Sequence, residues 1–358
     1  MHSNLEILCV GQDRTIREAI VLMDQNKQGI VLAVDGQRQL VGTITDGDVR
    51  RAVLARINFD EPVTTLLARK SSTMYAKPIT ASVTADPTTW LSVLREHSIL
   101  HLPLLDDQQR VAGLATLDEF VQGPSPAVRA VVMAGGRGSR LHPLTEDLPK
   151  PMLLIGGQPL LEIIIRQLRD AGIKQVKVTT CHKPEKIAEH FGDGKNFGVE
   201  LSYVAEDRPM GTVGGLGLIA APNETTLVIN GDILTQVDFR AMLVYHREHK
   251  ADLTVAVRHY DVKVPYGVIE CQGAAVHRLN EKPVFDFFVN AGIYLLEPSV
   301  YGFIPNGQRL DMTELIQRLL KQGRSVVSFP VREYWLDVGQ HADYEEAQEQ
   351  IKSWKSAT

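Results

Sequence analysis

The sequence predicts an α/β protein with a doubly wound, mainly parallel sheet, preceded by a smaller α+β module. From residue 128 onward, apolar strand-like runs alternate with amphipathic helical patterns, which is typical of such a sheet. Before it, a degenerate repeat with a spacing of about 70 residues fills the first 122 residues. Glycine and two prolines then interrupt the chain. We therefore expect domains at 1–122 and 128–358, joined by a linker at 123–127.

The composition excludes several classes of function. The 358 residues carry a formal net charge of -5, so no basic surface for nucleic acid or anionic membrane is expected. The chain shows no apolar run long enough for a signal peptide core or a transmembrane helix. Cys9, Cys181 and Cys271 have neither metal nor disulfide spacing, so we expect reduced thiols in a cytoplasmic protein.

Each copy of the N-terminal repeat predicts the order helix, strand, turn, strand, helix. The first copy places a helix near Thr15–Gln25 and apolar strands on either side of an Asp-Gly turn. In each copy a threonine stands where the second strand meets a helix, with a carboxylate three residues later. These pairs are Thr45 with Asp48 and Thr116 with Glu119, an arrangement that resembles a capping box.

The second half predicts strands near 128–134, 176–180 and 199–204, with helices at 160–171 and 184–191 between them. A polar helix at 343–353 is expected to cover the surface. Parallel sheets of this kind bind ligands at the carboxyl ends of their strands. Loops that follow the predicted strands are therefore the first places to look for a site.

The most distinctive loop follows the strand at 128–134. It is rich in glycine, which lets the backbone approach a ligand and present successive N–H groups. Arg140 and Lys150 add positive charge nearby, so the loop predicts a polyphosphate site. It is not a P-loop, because no Lys-Ser or Lys-Thr follows a glycine at the required spacing. It is not a dinucleotide fingerprint either, because Leu141 stands at the position of the third glycine. A tight turn with arginines in solvent is the alternative. The candidate nucleotide-binding residues are Ala134, Gly135, Gly136, Arg137, Gly138 and Ser139.

The stretch from Gly135 to Thr145, followed by Pro149-Lys150-Pro151, resembles the signature G-G-x-G-[ST]-R-x-x-P-L-T…P-K-P of sugar-1-phosphate nucleotidyltransferases. The resemblance implies a Rossmann-like, GT-A-like domain that converts a nucleoside triphosphate and a sugar 1-phosphate to an NDP-sugar and pyrophosphate. Products of this kind supply surface or cell-envelope glycans. Arg140 would hold the β and γ phosphates, and Lys150 the α-phosphate or the sugar phosphate.

A second segment resembles the family's nucleotide-base region. It contains Glu206 shortly before Gly211 and Thr212, where many members have glutamine in place of the glutamate. Guanine presents two adjacent donors, N1–H and N2–H₂, which one carboxylate can accept, whereas uracil and thymine suit an amide better. Glu206 therefore favours GTP. The alternatives are UTP or dTTP, or a solvated Glu206 with the base read by backbone alone.

A third segment, Leu227–Asp232, predicts a buried strand with a carboxylate at its tip, where a charge needs a cation. By resemblance, Asp232 binds Mg²⁺, and Asp337 of Trp335-Leu336-Asp337-Val338-Gly339 is the second ligand. A helix cap or a surface turn is the alternative for each. Further motifs resemble the family's sugar side and imply contacts with the sugar or its phosphate. These residues are Gly267, Glu281, Lys282, Asn290 and Gly292, with Lys282 on the sugar phosphate.

The N-terminal repeat resembles a tandem pair of CBS domains, or Bateman module, through Gly42, Thr45 and Asp48. The resemblance implies an adenine nucleotide at Thr45 and Asp48, and at Thr116 and Glu119, although glutamate replaces aspartate in the second copy. It also implies a homo-oligomer, since such modules associate face to face. The alternative is that both pairs only cap helices, in a module that dimerises or packs. A rival for the whole chain is a regulatory protein that binds nucleotides without catalysis.

Overall fold

The computed structural model describes residues 1–70, 76–97, 99–120 and 128–356. The chain divides into two units, Met1–Pro124 and Ser125–Thr358. The predicted linker at 123–127 lies outside the described residues, so its conformation stays a prediction. None of the helices in the described ranges is both long and apolar enough to cross a membrane.

The first unit repeats one arrangement of elements. Its helices are α1 (Leu5–Leu8), α2 (Ile16–Asn26), α3 (Asp46–Leu54), α4 (Thr64–Lys70), α5 (Pro87–Glu96) and α6 (Leu117–Phe120). Its strands are β1 (Cys9–Gly11), β2 (Ile30–Val34), β3 (Leu40–Thr45), β4 (Ala81–Ser82), β5 (His101–Leu105) and β6 (Val111–Thr116). Each copy forms one three-stranded sheet, in the orders β1-β2-β3 and β4-β5-β6. The first two strands of each sheet are parallel and the last two antiparallel. This confirms the predicted order of helix, strand, strand and helix.

The second unit contains a seven-stranded sheet, with helices on both of its faces, and three further two-stranded sheets. Its strands are β7 (Val128–Met133), β8 (Leu154–Ile155), β9 (Gln158–Pro159), β10 (Gln175–Thr180), β11 (Glu200–Ala205), β12 (Thr225–Asn230), β13 (Ile233–Thr235), β14 (Leu253–Lys263), β15 (Val268–Gln272), β16 (Ala275–Asn280), β17 (Val284–Leu296), β18 (Val326–Pro330) and β19 (Trp335–Asp337). Its helices are α7 (Leu160–Asp170), α8 (Pro184–Phe191), α9 (Gly211–Gly214), α10 (Phe239–Glu248), α11 (Met312–Lys321) and α12 (His341–Ser356). Short 3₁₀ helices are Ser139–Leu141, Lys150–Met152, Lys195–Phe197, Gly215–Leu218 and Pro298–Phe303.

The large sheet has the order β11-β10-β7-β12-β17-β14-β18. Only β17 is antiparallel to its neighbours, so the predicted, mainly parallel sheet is confirmed. Side chains alternate along the central strand: Ala130 and Val132 join one core, and Val131 and Met133 the other. Helices α7, α8 and α10 cover the first face, and α11 covers the second.

Most observed element boundaries differ from the predicted ones by one to three residues. The terminal helix begins at His341 and is longer than expected, and its Ala347 and Ile351 are buried in a cluster with Ile155 and Leu160. The strand expected to run to Asp232 ends at Asn230, and a turn separates it from the carboxylate. This turn matters for the site, since it starts the short strand β13.

Candidate active site

Loops that carry the predicted residues converge where the central strands end. The glycine-rich loop follows β7, Glu206 follows β11, and Asp232 follows β12 by two residues. Since these strands are parallel neighbours or next neighbours, their carboxyl ends share one edge of the sheet. The structure therefore places the loop, the base segment and the first metal candidate at the same edge.

The glycine-rich loop is held in shape by Thr145. The Thr145 hydroxyl donates a 2.8 Å hydrogen bond to the carbonyl oxygen of Gly138, which has a left-handed φ of +66°. A β-carbon at position 138 would lie 3.0 Å from side-chain atoms of both Thr145 and Lys150. Glycine is therefore required there for conformation and for space. Arg137, Ser139 and Arg140 remain exposed on this loop.

Lys150 is buried between two carboxylates. Its Nζ lies 2.5 Å from Oδ2 of Asp232 and 3.8 Å from Oδ1 of Asp337. The lysine side chain is 8% exposed, whereas the aspartates are 29% and 50% exposed. An ammonium with so little solvent needs a partner, and the carboxylates supply it. The two predicted metal ligands and a predicted catalytic lysine thus form one cluster, the lysine–carboxylate cluster.

A short antiparallel pairing brings the two aspartates together from distant parts of the chain. Strands β13 and β19 pair with Ile233 opposite Asp337, and the Val338 N–H donates to the carbonyl oxygen of Asp232 at 3.0 Å. At Gly231 a β-carbon would lie 3.0 Å from the Met133 carbonyl oxygen and 3.3 Å from Pro151. Glycine there lets the segment after Lys150 pack closely against the end of the strand.

The cluster has the donor chemistry of a site for a hard divalent cation. Burial, followed by the charge of Asp232, raises the pKa of Asp337, while Lys150 and Arg140 oppose the rise. In the described part of the chain, no three His, Cys, Asp or Glu side chains converge as a closed metal cage. One or two carboxylates completed by phosphate oxygens and water is the usual Mg²⁺ arrangement in phosphoryl-transfer sites. Asp232 and Asp337 fit that arrangement.

Glu206 is buried beside the glycine-rich loop, so it is not a solvated loop residue. It is 7% exposed, and its Oε2 accepts a 3.1 Å hydrogen bond from the Met210 N–H. β-Carbons at Gly135 and Gly215 would lie 3.2 Å and 2.6 Å from the two carboxylate oxygens. Burial is the main cause that raises the pKa of Glu206. Besides the Met210 N–H, the Thr179 side chain hydrogen-bonds to this carboxylate, and both bonds act against the rise in its pKa.

Gly211 and Thr212 contact the start of α11. Gly211 has a φ of +81°, and a β-carbon there would lie 2.5 Å from Asp311 Oδ1 and 2.6 Å from the Leu310 carbonyl oxygen. The Thr212 N–H donates to Asp311 Oδ1 at 3.2 Å, and its hydroxyl accepts from the Met312 N–H at 2.8 Å. Nucleotide binding by these two residues stays a prediction. In the described structure their contacts anchor the base segment.

The Asn290 motif lies next to the metal candidates. A β-carbon at Gly292 would lie 2.7 Å from Nδ2 of Asn230, two residues before Asp232. Trp335, two residues before Asp337, donates from Nε1 to the Ala291 carbonyl oxygen at 2.7 Å. Asn290 itself donates to the Tyr294 hydroxyl at 2.7 Å and accepts from the Gly292 N–H at 3.0 Å.

The other sugar-side candidates flank the separate two-stranded sheet of β15 and β16: Gly267 precedes β15, and Glu281 and Lys282 follow β16. A β-carbon at Gly267 would lie 3.0 Å from Oε2 of Glu281, so these two predicted residues are neighbours. Glu281 and Lys282 are both exposed. Within the described ranges, no hydrogen bond or ion pair joins either of them to the lysine–carboxylate cluster. Their role toward a sugar phosphate stays a prediction.

The candidate pairs of the first unit form helix caps. The Thr45 hydroxyl caps α3, and Asp48 Oδ2 accepts from the Thr45 N–H at 2.9 Å and from Lys70 Nζ at 2.9 Å. Arg51 contacts the other oxygen of Asp48 at 2.6 Å. In the second copy the Thr116 N–H lies 3.5 Å from Glu119 Oε2. Glu119 Oε1 also pairs with the N-terminal ammonium of Met1 at 2.7 Å.

Sequence reasoning missed several residues that support the site. Asn230 is notable because its Oδ1 is buried with no hydrogen-bond partner among the described residues. Met210 and Gly215 enclose Glu206, and Trp335 joins two motifs. Each stands one to three residues from a predicted residue, so position within a motif was the available signal. Their partners depend on tertiary packing that a local pattern does not contain.

Comparison with known proteins agrees with this geometry. A family model described as nucleotidyl transferase matches residues 129–353, and a CBS domain model matches residues 1–55. A mannose-1-phosphate guanylyltransferase from Mycobacterium tuberculosis is 35% identical over 225 residues. A UTP–glucose-1-phosphate uridylyltransferase from Synechocystis is 31% identical over 241 residues. These matches cover 61% and 62% of this chain, and the chain spans 62% of the length of each relative.

One solved structure gives the same result for the fold. A crystal structure from Bacillus anthracis, provisionally described as a glucose-1-phosphate thymidylyltransferase in complex with a sucrose, is 25% identical with a TM-score of 0.52. The match covers 63% of this chain and 95% of that one. The matched relatives differ in the nucleotide that their names give.

Proposed function

Because the chain belongs to the nucleotidyl transferase family, with a CBS domain at its N-terminus, we propose that it is a sugar-1-phosphate nucleotidyltransferase. In the proposed reaction, a phosphate oxygen of the sugar 1-phosphate attacks the α-phosphorus of a nucleoside triphosphate. The bond from the α-phosphorus to the bridging oxygen breaks, and pyrophosphate leaves with its electron pair. The convergence of Lys150, Asp232 and Asp337 beside the glycine-rich loop carries this proposal.

The main task of the protein's own residues is to bring two anions together. Lys150 and Arg140 are the cations at the loop, and Arg140 acts on the pKa of Asp337 from nearby. Fixed positive charge and backbone N–H groups offset the repulsion between the substrates and orient them for in-line attack. A phosphate oxygen is already a nucleophile, so no general base is required. Lys282, which follows β16, is proposed to hold the sugar phosphate.

Asp232 and Asp337 are proposed to hold Mg²⁺. When bound there, the ion would neutralise phosphate charge and polarise the phosphoryl oxygens. The two carboxylates provide the oxygen donors, and the substrates would complete the ligand set. Lys150 already offsets one of the two negative charges in the described structure, so the lysine and the ion would share the same carboxylates.

For the base we propose guanine, and GTP as the donor. Glu206 supports this choice, since it is a buried carboxylate whose Oε2 would be 3.2 Å from a β-carbon on Gly135 of the loop. A carboxylate can accept hydrogen bonds from both N1–H and N2–H₂ of guanine. With uracil or thymine, its oxygens would face the carbonyl oxygens of the base, which are also acceptors, so these bases would bind less well. The named activity of the mycobacterial relative also favours GTP, with mannose 1-phosphate as one candidate sugar.

A second candidate uses UTP or dTTP in the same site. The names of the Synechocystis relative and of the Bacillus anthracis structure favour it. Pyrophosphate release should be measured with GTP, UTP and dTTP, each against a panel of sugar 1-phosphates that includes mannose 1-phosphate and glucose 1-phosphate. The proposal expects GTP to give the highest kcat/KM. A faster reaction with UTP would overturn the assignment of Glu206, and no release with any pair would favour a binding protein without catalysis.

Substitution of Glu206 tests the base reader directly. Glu206→Gln keeps the shape but replaces one acceptor by a donor, so kcat/KM for GTP should fall by roughly 10- to 100-fold. The ratio of UTP to GTP turnover should rise. Asp207→Asn is the matched control, since Asp207 is exposed next to Glu206. An unchanged nucleotide preference in Glu206→Gln would contradict the proposal.

For the first unit we propose that an adenine nucleotide binds at Thr45 and Asp48 and modulates the enzyme. The caps already use both residues, which is also what a purely structural role requires. Calorimetry of the full chain with ATP, ADP and AMP distinguishes nucleotide binding from a purely structural role. Binding that is lost in Asp48→Asn supports the proposal, and absence of binding to all three nucleotides removes it.

A further inference from the structure

Asn230 lies between the two proposed substrate sides of the site. It is the last residue of β12, two residues before Asp232. Strand β12 runs between β7 and β17 in the large sheet. On one side Asn230 pairs with Met133 at the end of β7, and on the other side the preceding pair is Ile229 with Ile293 of β17. The sheet therefore fixes the backbone of Asn230 from both sides.

The amide of Asn230 lies against the proposed sugar-side motif. Gly292 has a left-handed φ of +71°, and a β-carbon there would lie 2.7 Å from Nδ2 and 3.2 Å from Cγ of Asn230. Any side chain at position 292 would collide with this amide. Glycine at position 292 thus leaves a space that the Asn230 amide occupies.

The Oδ1 atom of this amide is buried and has no hydrogen-bond partner among the described residues. A buried acceptor without a donor lowers stability, because it has lost its hydrogen bonds to water and gained none from the protein. Native proteins contain few such groups. An aliphatic residue at position 230 would avoid the cost and would continue the apolar run Leu227–Ile229. The fold alone therefore gives no reason for an asparagine here.

Neighbouring polar groups do not supply the missing donor, because they are engaged with one another. Asn290 donates to the Tyr294 hydroxyl and accepts from the Gly292 N–H. The Trp335 Nε1–H donates to the Ala291 carbonyl oxygen. The unpaired oxygen of Asn230 therefore lies beside a motif whose own polar side chains are satisfied.

The missing partner must bring a hydrogen-bond donor. Ionised phosphate oxygens only accept, so they cannot satisfy Oδ1. The base is assigned to Glu206, which follows β11 and is separated from β12 by β10 and β7. A sugar hydroxyl both donates and accepts, which matches an amide that has one carbonyl oxygen and one NH₂ group. A ring hydroxyl of the sugar 1-phosphate is the group that fits.

We propose that Asn230 is a specificity-determining residue for the sugar. Its amide turns about χ2, in the space left by Gly292, and exchanges hydrogen bonds with one ring hydroxyl of the bound sugar 1-phosphate. The inference rests on the proposed transfer reaction and adds a residue to its second-substrate side. A sugar without that hydroxyl, or with the opposite configuration there, leaves the amide unpaired, and sites of this kind discriminate strongly.

Steady-state kinetics of pyrophosphate release test the contact. Asn230→Ala removes the amide and adds no bulk. KM for the sugar 1-phosphate should rise by roughly 10- to 100-fold, whereas KM for GTP should not change. Asn223→Ala is the matched control, since Asn223 is an exposed asparagine that precedes the same strand. The control should retain both wild-type KM values, and an unchanged KM for the sugar 1-phosphate in Asn230→Ala would overturn the proposal.

Deoxy sugar 1-phosphates identify the hydroxyl. In the wild type, one of the 2-, 3- and 4-deoxy compounds should lose roughly as much kcat/KM as Asn230→Ala does with the parent sugar. The variant should lose nothing further with that compound, because the two changes remove the same contact. Independent losses with every deoxy compound would overturn the proposal.

Thermal stability distinguishes this role from a structural one. Asn230→Leu keeps the approximate shape of the side chain but removes the unpaired acceptor. Without ligands, its melting temperature should equal or exceed that of the wild type. A clear decrease in both Asn230→Leu and Asn230→Ala would mean that the amide stabilises the fold, which would overturn the proposal.

Binding measurements distinguish failure of this inference from failure of the proposed function. Absence of pyrophosphate release with every substrate pair would remove the proposed function. Calorimetry of the full chain with mannose 1-phosphate or glucose 1-phosphate, in the presence of α,β-methylene-GTP and Mg²⁺, does not depend on turnover. Weaker binding in Asn230→Ala than in the wild type supports the role of Asn230, and equal binding or none in both overturns it. An asparagine oxygen can also bind a metal, so weaker binding of Mn²⁺ alone in Asn230→Ala would likewise overturn the assignment to the sugar.

Discussion

The Nζ of Lys150 lies 2.5 Å from Oδ2 of Asp232, although the two residues belong to loops that follow different strands. The contact unites a predicted phosphate-binding cation with a predicted metal ligand. The same Nζ lies 3.8 Å from Oδ1 of Asp337, the second predicted metal ligand.

Removal of the Lys150 ammonium should reduce turnover strongly without unfolding the chain. Lys150→Met keeps the aliphatic packing but removes the charge that meets the phosphates, so kcat should fall by about 10²–10³-fold. Steady-state pyrophosphate release measures the effect, and circular dichroism checks the fold. Lys195→Met is the control, because Lys195 is 83% exposed and pairs with Asp193 on the surface. Near-wild-type turnover in Lys150→Met would rule out the assigned role.

The same substitution should strengthen metal binding when no nucleotide is present. In the wild type, a divalent ion competes with the Lys150 ammonium for Asp232 and Asp337. Without the ammonium, affinity for Mn²⁺ should rise on the order of tenfold, because solvent screening of the half-exposed Asp337 limits the gain. Calorimetry with Mn²⁺ alone measures this. Asp232→Asn should bind more weakly than the wild type, and equal affinity in all three proteins would contradict a metal site at the pair.

Glu206 should make stability depend on pH in a defined direction. Burial raises its pKa above the ordinary value of 4.5, so the folded chain binds this proton more tightly than the unfolded chain. The stability that protonated Glu206 contributes is complete below 4.5 and is lost as pH rises through the raised pKa. Glu206→Gln has no charge to bury. The melting temperature of the variant minus that of the wild type should therefore increase from acid to neutral pH. Glu349→Gln, at an exposed position of α12, should show no such trend. A constant difference for Glu206→Gln would be inconsistent with a buried carboxylate.

Gly215 should tolerate no side chain. A β-carbon there would lie 2.6 Å from Oε1 of Glu206 and 3.2 Å from Thr179, so the carboxylate or the backbone must move. We expect Gly215→Ala to destabilise the chain by about 1–3 kcal/mol in denaturant unfolding. Gly136→Ala is the control, since a β-carbon at Gly136 meets nothing within 4 Å. Equal stability of the two variants would show that Glu206 is not held as described.

Local patterns were sufficient to predict four strands of the large sheet, β7, β10, β11 and β12, and the residues that follow them, but not β14, β17 and β18. The apolar run before Gly135 and the glycine loop predict a strand and a cradle, because both depend on near neighbours in sequence. The convergence of Asp232 and Asp337 could be expected only through the family resemblance. Physically, it depends on the pairing of β13 with β19, two three-residue strands whose register is set by packing.

Other contacts could not be predicted from the sequence, because they too depend on tertiary packing. Thr212 belongs to a motif expected to contact nucleotide, but its hydroxyl accepts from the Met312 N–H at the start of a helix. Glu206 could be solvated or buried on sequence alone, and only the packing around Gly135 and Gly215 buries it. The pairing of exposed Tyr260 with exposed Phe287 depends on the register of β14 with β17, which the sequence neighbours of neither residue reveal.

The most direct test of the central claim is ³¹P NMR of the full-length chain incubated with GTP, Mg²⁺ and a panel of sugar 1-phosphates. We predict that the α-phosphorus of GTP moves into a GDP-sugar while pyrophosphate forms in equal amount. We also predict that Lys150→Met loses both signals together. Formation of GDP and inorganic phosphate, or no change with any sugar 1-phosphate, would contradict a nucleotidyl transfer at the lysine–carboxylate cluster.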